Sequence, residues 1–231
     1  SALVPLFSNS KVGAYGQVTA REIKMSSSVV SNTNTVYDVK FTAGTTGTIK
    51  SLAIDFCSNS PIIGDTTCTA PTSFSLTGSP TVTLVSGITA TYTAGTLNSN
   101  RTLTLTKAAG DALTAGSTVV EFTINTVTNP STTGTFYARI YTFPNDTTSN
   151  DAADYTPANI ATNVPTDAGG IALSTAAQIN VTSKVQERLT FCVYTTGAGH
   201  DCTTKRGTAV ALGDTHGVLD PAGPYVRKNA K

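Results

Sequence analysis

The chain has 231 residues and a formal net charge of +1, and only 13% of its residues are charged, against roughly 25% in an ordinary soluble domain. Charges of mixed sign without a basic stripe argue against a nucleic-acid partner. Apolar runs well short of about 18 residues argue against a transmembrane segment. Abundant Thr with Gly, Asn and Pro, and few strong helix formers, predict short strands joined by tight turns.

The chain begins with an apolar segment, residues 2–7. It is too short for a signal peptide and lacks a basic start, so we interpret Ser1 as the residue left after signal removal. Three interpretations of residues 1–16 stay open: an edge strand on its own domain, a strand donated into a neighbouring subunit, or a disordered segment. The second predicts a subunit interface built by the apolar side chains Ala2, Leu3, Val4, Leu6 and Phe7.

Alternation with a period of two predicts strands through most of the chain. The expected strands are residues 17–28, 35–43, 47–57, 73–76, 81–85, 89–93, 101–106, 117–125, 135–143, 170–175, 178–184, 187–194 and 208–212. In residues 102–106, Leu103 and Leu105 are expected to face inward and the threonines outward. Residues 44–47, 94–96 and 129–131 are expected to form turns.

Strands about ten residues apart without intervening helices indicate an all-β, antiparallel sandwich of Ig-like or jelly-roll type. Its buried faces are expected to include Val36, Val39, Phe41, Leu52, Ile54, Phe56, Phe122, Ile124, Phe136, Ala138 and Ile140. We predict three segments: an N-terminal donor strand (1–16), the sandwich domain (17–183), and a C-terminal disulfide-stapled hairpin with a tail (184–231).

The four cysteines form two local pairs. Cys57 and Cys68 have ten residues between them, and Cys192 and Cys202 have nine. Neither pair has the spacing of a zinc or redox motif. Of the three connectivities that four cysteines allow, two short-range disulfides are the simplest, since each loop carries turn residues. Such bonds would indicate an oxidising compartment.

Catalytic motifs are missing from the sequence. His200 and His216, beside Asp201 and Asp214, could serve in zinc or general-base chemistry, but no third partner stands at ligand spacing. The chain also lacks a nucleophile elbow, a P-loop and a zinc-protease motif. We therefore expect no enzyme activity and no cofactor.

A polar stretch, residues 145–165, holds seven Asp or Asn residues. Several oxygen ligands at short spacing suit Ca²⁺, but the stretch lacks the glycine and final glutamate of an EF-hand loop. We interpret it as a plain polar loop, with Asp146, Asp151 and Asp154 as a weak metal candidate. Three sequons give candidate glycosylation sites at Asn100, Asn145 and Asn180.

Six stretches of the sequence have a specific pattern: GQVTAREIKMS (16–26), IDFCSNSPIIGDTTC (54–68), TNPS (128–131), YARI (137–140), GIALST (170–175) and LTFCV (189–193). In these stretches the chain resembles secreted Ig-like surface proteins of small-genome, host-attached bacteria of the candidate phyla. The resemblance implies a secreted sandwich at the cell surface without known catalytic residues. The apolar N-terminal segment is similar, by looser analogy, to that of pilus and biofilm-filament subunits that polymerise by strand donation.

Together these observations predict a structural subunit of an extracellular, pilus-like filament or surface layer. Its partners would be copies of itself, joined head to tail by donor-strand β-augmentation. The alternative is a monomeric adhesin or glycan-binding module whose partner is a host or neighbouring cell surface.

Overall fold

The structure is a computed structural model that describes residues 15–77, 80–89, 91–147, 149–179 and 181–183. The apolar residues 2–7, the pair Cys192 and Cys202, both histidines and Asn180 lie outside these ranges. The chain separates into two compact units, Ser1–Ile179 and Asn180–Lys231. Everything below concerns the first unit. Within the described residues, no helix is long and apolar enough to cross a membrane.

Ten strands form two sheets, and the predicted all-β sandwich is confirmed. The strands are β1 (Gly16–Gln17), β2 (Thr19–Met25), β3 (Thr35–Thr42), β4 (Gly47–Cys57), β5 (Val82–Ser86), β6 (Thr93–Leu97), β7 (Thr102–Leu113), β8 (Val119–Val127), β9 (Gly134–Phe143) and β10 (Asp167–Thr175). One sheet has the order β1-β10-β9-β4-β7-β6, and the other has the order β2-β3-β8-β5.

The neighbouring strands are antiparallel except at one edge, where β1 runs parallel to β10. Only the β2–β3, β6–β7 and β9–β10 connections join neighbours in one sheet. The other long connections cross between the sheets, so strands adjacent in sequence are mostly not paired. This crossing places β5 and β6, which are consecutive in the chain, at edges of different sheets.

The main core lies between the two sheets and contains the side chains that alternation assigned to it, apart from Val36. Aromatic rings fill its centre: the Phe56 and Phe74 ring centroids lie 4.5 Å apart, and Tyr37 meets Phe56 edge-on at 5.8 Å. Because one face of each sheet must be buried, this alternation fixes the register of the strands.

A second buried layer lies on the outer face of the six-stranded sheet, where residues 145–165 pack against Ala53, Tyr141 and Phe143. The expectation that the threonines of residues 102–106 face solvent is therefore wrong for Thr102 and Thr104, which are buried. Because residues 145–165 are polar in composition, their sequence does not indicate that they pack against the sheet. These residues cover a sheet face instead of forming a plain solvated loop.

Some strand predictions are also wrong. The strand expected at residues 89–93 begins only at Thr93, and residues 94–96, expected to turn, are extended in β6. Glycine and small residues there allow close approach to β7: a Cβ on Gly95 would lie 3.0 Å from the Thr104 hydroxyl. In residues 73–76 only Ser75 forms a bridge, to Thr128. Within 178–184, the described residues are not in a strand.

Candidate subunit interface

The sandwich has two open sides, because four of its strands are edges. On one side β1 and β10 end the six-stranded sheet beside β2; on the other side β6 ends it and β5 ends the four-stranded sheet. An edge strand presents unpaired main-chain groups to which another chain can add. We call these the β2–β10 side and the β5–β6 side.

On the β2–β10 side, β1 covers only the start of β10. Gly16 pairs with Asp167 and Gln17 with Ala168, and the Val18 amide then donates to the Ala168 carbonyl at 3.2 Å. Beyond this point the main chain of β10 continues without β1. The nearby apolar side chains Ile23, Met25 and Ile171 are partly exposed while packing against the core.

A surface groove of about 450 Å³ lies along the same edge, lined by Tyr15, Gln17, Arg21, Pro61, Ile62, Ile63, Ala168, Gly169 and Gly170. Its glycines are required by packing: a Cβ on Gly170 would lie 2.0 Å from the Pro61 carbonyl oxygen. Ile62 stands 61% exposed at the groove. An apolar wall with a tyrosine, an arginine and a glutamine could hold a polar ligand.

On the β5–β6 side, a groove of about 320 Å³ opens between the two edge strands, lined by Val82, Thr83, Leu84, Thr91, Tyr92, Ala94 and Leu105. Leu105 is fully buried and forms its floor. Val82, Leu84, Tyr92 and Ala94 belong to the rim of the main core and are only partly covered. The core therefore reaches the surface between β5 and β6.

A polar cluster fixes one wall of this groove. The Thr89 hydroxyl and amide donate to Asp111 at 2.8 and 3.2 Å, and Lys107 donates to the same carboxylate at 3.0 Å. Although burial raises the pKa of Asp111, the hydrogen bonds from Lys107 and Thr89 outweigh it and hold the pKa below its usual value. The carboxylate thus stays charged and paired at neutral pH.

The ring of Tyr92 lies beside this cluster and is held by two contacts. Its hydroxyl donates to the Ile49 carbonyl at 3.3 Å, and the Lys107 ammonium lies 5.4 Å from its ring centroid. Burial, together with the negative charge of Asp111, raises the pKa of Tyr92. The ring is consequently a neutral, preformed wall of the groove.

The carboxylates of the weak metal candidate do not converge. Asp151 is fully buried and its carboxylate accepts the Asp154 amide at 2.7 Å, which makes it a turn-forming residue. Within the described residues, the group of potential ligands that lies within 4.8 Å is Asp55, Cys57 and Cys68. Because those two cysteines are joined to each other, this group has no thiolate to offer a metal.

The Cys57–Cys68 pair forms a disulfide with a Cα–Cα distance of 5.1 Å. Arg139 also stabilises the loop that this disulfide closes: its guanidinium donates to the carbonyls of Ser60 at 3.0 Å and Thr66 at 2.9 Å. This loop forms a wall of the groove on the β2–β10 side. The disulfide is compatible with an oxidising compartment.

Two of the candidate glycosylation sites are described. Asn100 lies in the turn between β6 and β7, where its side-chain oxygen accepts the Thr96 hydroxyl at 2.8 Å. The sequon threonine, Thr102, is buried and donates to Asp55. Asn145 donates to the Ser149 carbonyl at 2.7 Å. Both asparagine side chains are thus engaged within the fold.

Comparison with known proteins gives no family. No family model matches the chain, and no curated protein matches it. Among solved structures, it is matched to the human F-spondin reeler domain (fragment 2), at 12% identity and a TM-score of 0.28, over 57% of this chain and 79% of that one. A likeness this weak carries no argument about fold or function.

The predicted interface residues 2–7 lie outside the described residues. Sequence reasoning missed the groove on the β5–β6 side, although it assigned residues 81–85 to a strand. Alternation shows which way Val82 and Leu84 point, but only the order of strands shows that, among the described residues, β5 lies at the edge of its sheet.

Proposed function

We propose that this chain is a structural subunit of an extracellular filament or surface layer that polymerises when one subunit donates its N-terminal strand to the next. The observation that carries the proposal is the groove on the β5–β6 side, where core side chains are only partly covered between two strands that, among the described residues, are the edges of their sheets. The apolar residues 2–7 are the matching element in the sequence.

The arrangement of the two elements favours a polymer. Residues 2–7 precede β1, which ends the six-stranded sheet on one side, and the groove lies at the opposite end of the same sheet. A contact between unlike surfaces is head to tail, and it extends into an open chain unless its geometry closes a ring. The scarcity of charge and the abundance of Thr favour close packing of subunits, because few charges would need to be desolvated.

The test is deletion of residues 1–8. The truncated chain should remain folded, as judged by its β-type circular dichroism and its melting transition, and should form no filaments by negative-stain microscopy. A matched control replaces Ser8, Asn9 and Ser10 with alanine, which keeps the apolar residues, and should still assemble. Filaments from the deleted chain would refute the proposal.

The second candidate function is a surface adhesin or glycan-binding module. The groove on the β2–β10 side favours it, since it combines Tyr15 and Ile62 with the polar side chains of Gln17 and Arg21. Glycan-array binding by isolated particles, lost on Arg21→Ala, would support this alternative. Ordered fibres without glycan binding would support the first.

A further inference from the structure

We propose that the groove on the β5–β6 side receives residues 2–7 of a second copy as a strand antiparallel to β5, with Val4 and Leu6 directed into the groove and the ring of Pro5 directed outward. This inference rests on the proposed function and specifies its acceptor, orientation and side-chain register. Each of these follows from the main chain of β5 and from one residue of the donor.

The free edge of β5 is defined by its pairing with β8. The Thr81 carbonyl accepts the Asn125 amide at 2.9 Å, and Thr83 lies opposite Thr123. Because main-chain groups alternate in direction along a strand, those of Val82 and Leu84 point away from β8. The side chains of the same two residues point into the groove. An added strand would therefore bond to Val82 and Leu84.

Pro5 decides which donor residues can make those bonds. Proline has no amide hydrogen, so in a strand it must point its nitrogen away from the ladder. Val4 and Leu6, one residue to either side, then direct their main-chain groups toward β5. In an antiparallel ladder, two residues that exchange both hydrogen bonds have side chains on the same face. Val4 and Leu6 consequently point into the groove beside Val82 and Leu84.

A parallel donor would give the opposite result. In a donor parallel to β5, the residues whose main-chain groups bond to β5 have their side chains on the outer face of the sheet. Val4 and Leu6 would then point away from the groove. The groove has the apolar Leu105 at its floor and Tyr92 and Ala94 on its far wall. The antiparallel arrangement, which directs Val4 and Leu6 against these apolar side chains, is therefore favoured.

The outer face of β5 supports the same register. Val85 is 57% exposed there, one of the few large apolar side chains left in solvent among the described residues. Leu3 and Phe7 of an antiparallel donor would point to this outer face. The donor would thus cover both the inner groove and Val85.

The reach of the chain favours a donor from another copy. Five inter-strand steps separate β1 from β6, which is about 24 Å at a spacing of about 4.8 Å. From Phe7 to Tyr15 the chain spans eight residues, or about 26 Å fully extended. Reaching the groove of the same subunit would therefore use nearly the full extension even along the direct line, and a path around the outside of the sandwich is longer.

Paired cysteines test the contact in the full-length chain. The double variant Val4→Cys/Leu84→Cys should give a ladder of disulfide-linked oligomers on a non-reducing gel, since residues paired across antiparallel strands have Cα atoms at disulfide distance. The matched control Val4→Cys/Ile23→Cys places the second thiol on the β2–β10 side and should give no ladder. An orientation control, Leu3→Cys/Leu84→Cys, should cross-link at least tenfold less.

A second pair of variants does not depend on oxidation. Leu84→Asp should abolish filaments, and Ile23→Asp, an equally partly buried site on the opposite side, should leave them. Both must show a melting transition, so that loss of assembly is not loss of fold. A ladder with Ile23→Cys, a purely intramolecular disulfide, no cross-link in Val4→Cys/Leu84→Cys, or filaments from Leu84→Asp would each overturn the inference.

These outcomes separate the two proposals. If deleting residues 1–8 abolishes filaments but the variant with Ile23→Cys gives the disulfide-linked ladder, strand donation stands and the acceptor is the β2–β10 side, not the β5–β6 side. If the deleted chain still forms filaments, the proposed function itself fails, whatever the cross-links show.

Discussion

The Tyr155 hydroxyl donates a hydrogen bond of 2.9 Å to the carboxylate of Asp55. Asp55 lies on β4, is fully buried, and also accepts from Arg101 Nε at 3.0 Å and from the Thr102 hydroxyl at 2.8 Å. Tyr155 belongs to residues 145–165, so this bond ties the outer layer to the middle of the six-stranded sheet. A buried carboxylate is tolerated there because all its bonds come from fixed donors.

Tyr155→Phe should destabilise the domain by about 1.5–3 kcal/mol, because it removes a hydrogen bond to a buried charge. Tyr37→Phe is the matched control: its hydroxyl also makes one buried bond, at 2.8 Å, but to the neutral amide oxygen of Asn129. That variant should cost only about 1 kcal/mol. Urea unfolding at neutral pH measures both, and equal losses would contradict a special role for Asp55.

Gly170→Ala should destabilise the domain by about 1–3 kcal/mol, because the new Cβ would lie 2.0 Å from the backbone oxygen of Pro61. The loop closed by Cys57 and Cys68 would have to lift from β10. Gly47→Ala is the control, since a Cβ there meets nothing within 4 Å. Gly47→Ala should be neutral or slightly stabilising in thermal melts. A Gly170→Ala variant as stable as the parent would show that the loop can move away from β10 without a cost in stability.

Replacing Cys57 and Cys68 together with serine should lower stability by about 2–3 kcal/mol through the entropy of the unfolded chain. The fold should survive, because Arg139 still holds the loop through the Ser60 and Thr66 carbonyls. Adding Arg139→Met to that variant should release the loop to proteolysis. Loss of the β-type spectrum in the cysteine variant alone would contradict this division of roles.

The sequence predicted the sandwich well because its signal is local. Alternation in residues 35–57 and 119–143 identifies the inward side chains, and turn residues set most strand ends. What it could not predict depends on long-range order. Nothing near Ala53 in the sequence indicates that residues 145–165 pack against it. Nothing near Leu84 indicates that β5 is left at an edge beside an uncovered part of the core.

The same limit explains the error at β6. Thr, Gly and Ala in residues 93–96 have turn-like composition, yet pairing with β7 extends them, with Gly95 opposite Thr104. Tertiary pairing overrides local preference most easily where side chains are small. The disulfide between Cys57 and Cys68, by contrast, is expected as the simplest of three connectivities, because a short loop with turn residues can bring its two ends together, and the structure contains it.

Alkaline titration should unfold the domain and ionise its buried tyrosines in a single step. Burial raises the pKa of four tyrosines above the usual value of about 10: Tyr37, Tyr92, Tyr141 and Tyr155. A group whose folded pKa is raised stabilises the fold fully below its unfolded pKa and loses that contribution as pH rises above it. Stability should therefore begin to fall near pH 10.

The measurement is tyrosinate absorbance against far-ultraviolet circular dichroism across the same titration. Difference spectra against Tyr155→Phe and Tyr37→Phe assign the signal of each ring. Both rings should ionise only where the circular dichroism signal is lost, because the phenolate has no solvent inside the fold. Ionisation of Tyr155 at about pH 10, the unperturbed value, in a chain that keeps its β-type spectrum would mean that residues 145–165 detach from the sheet before the sandwich unfolds.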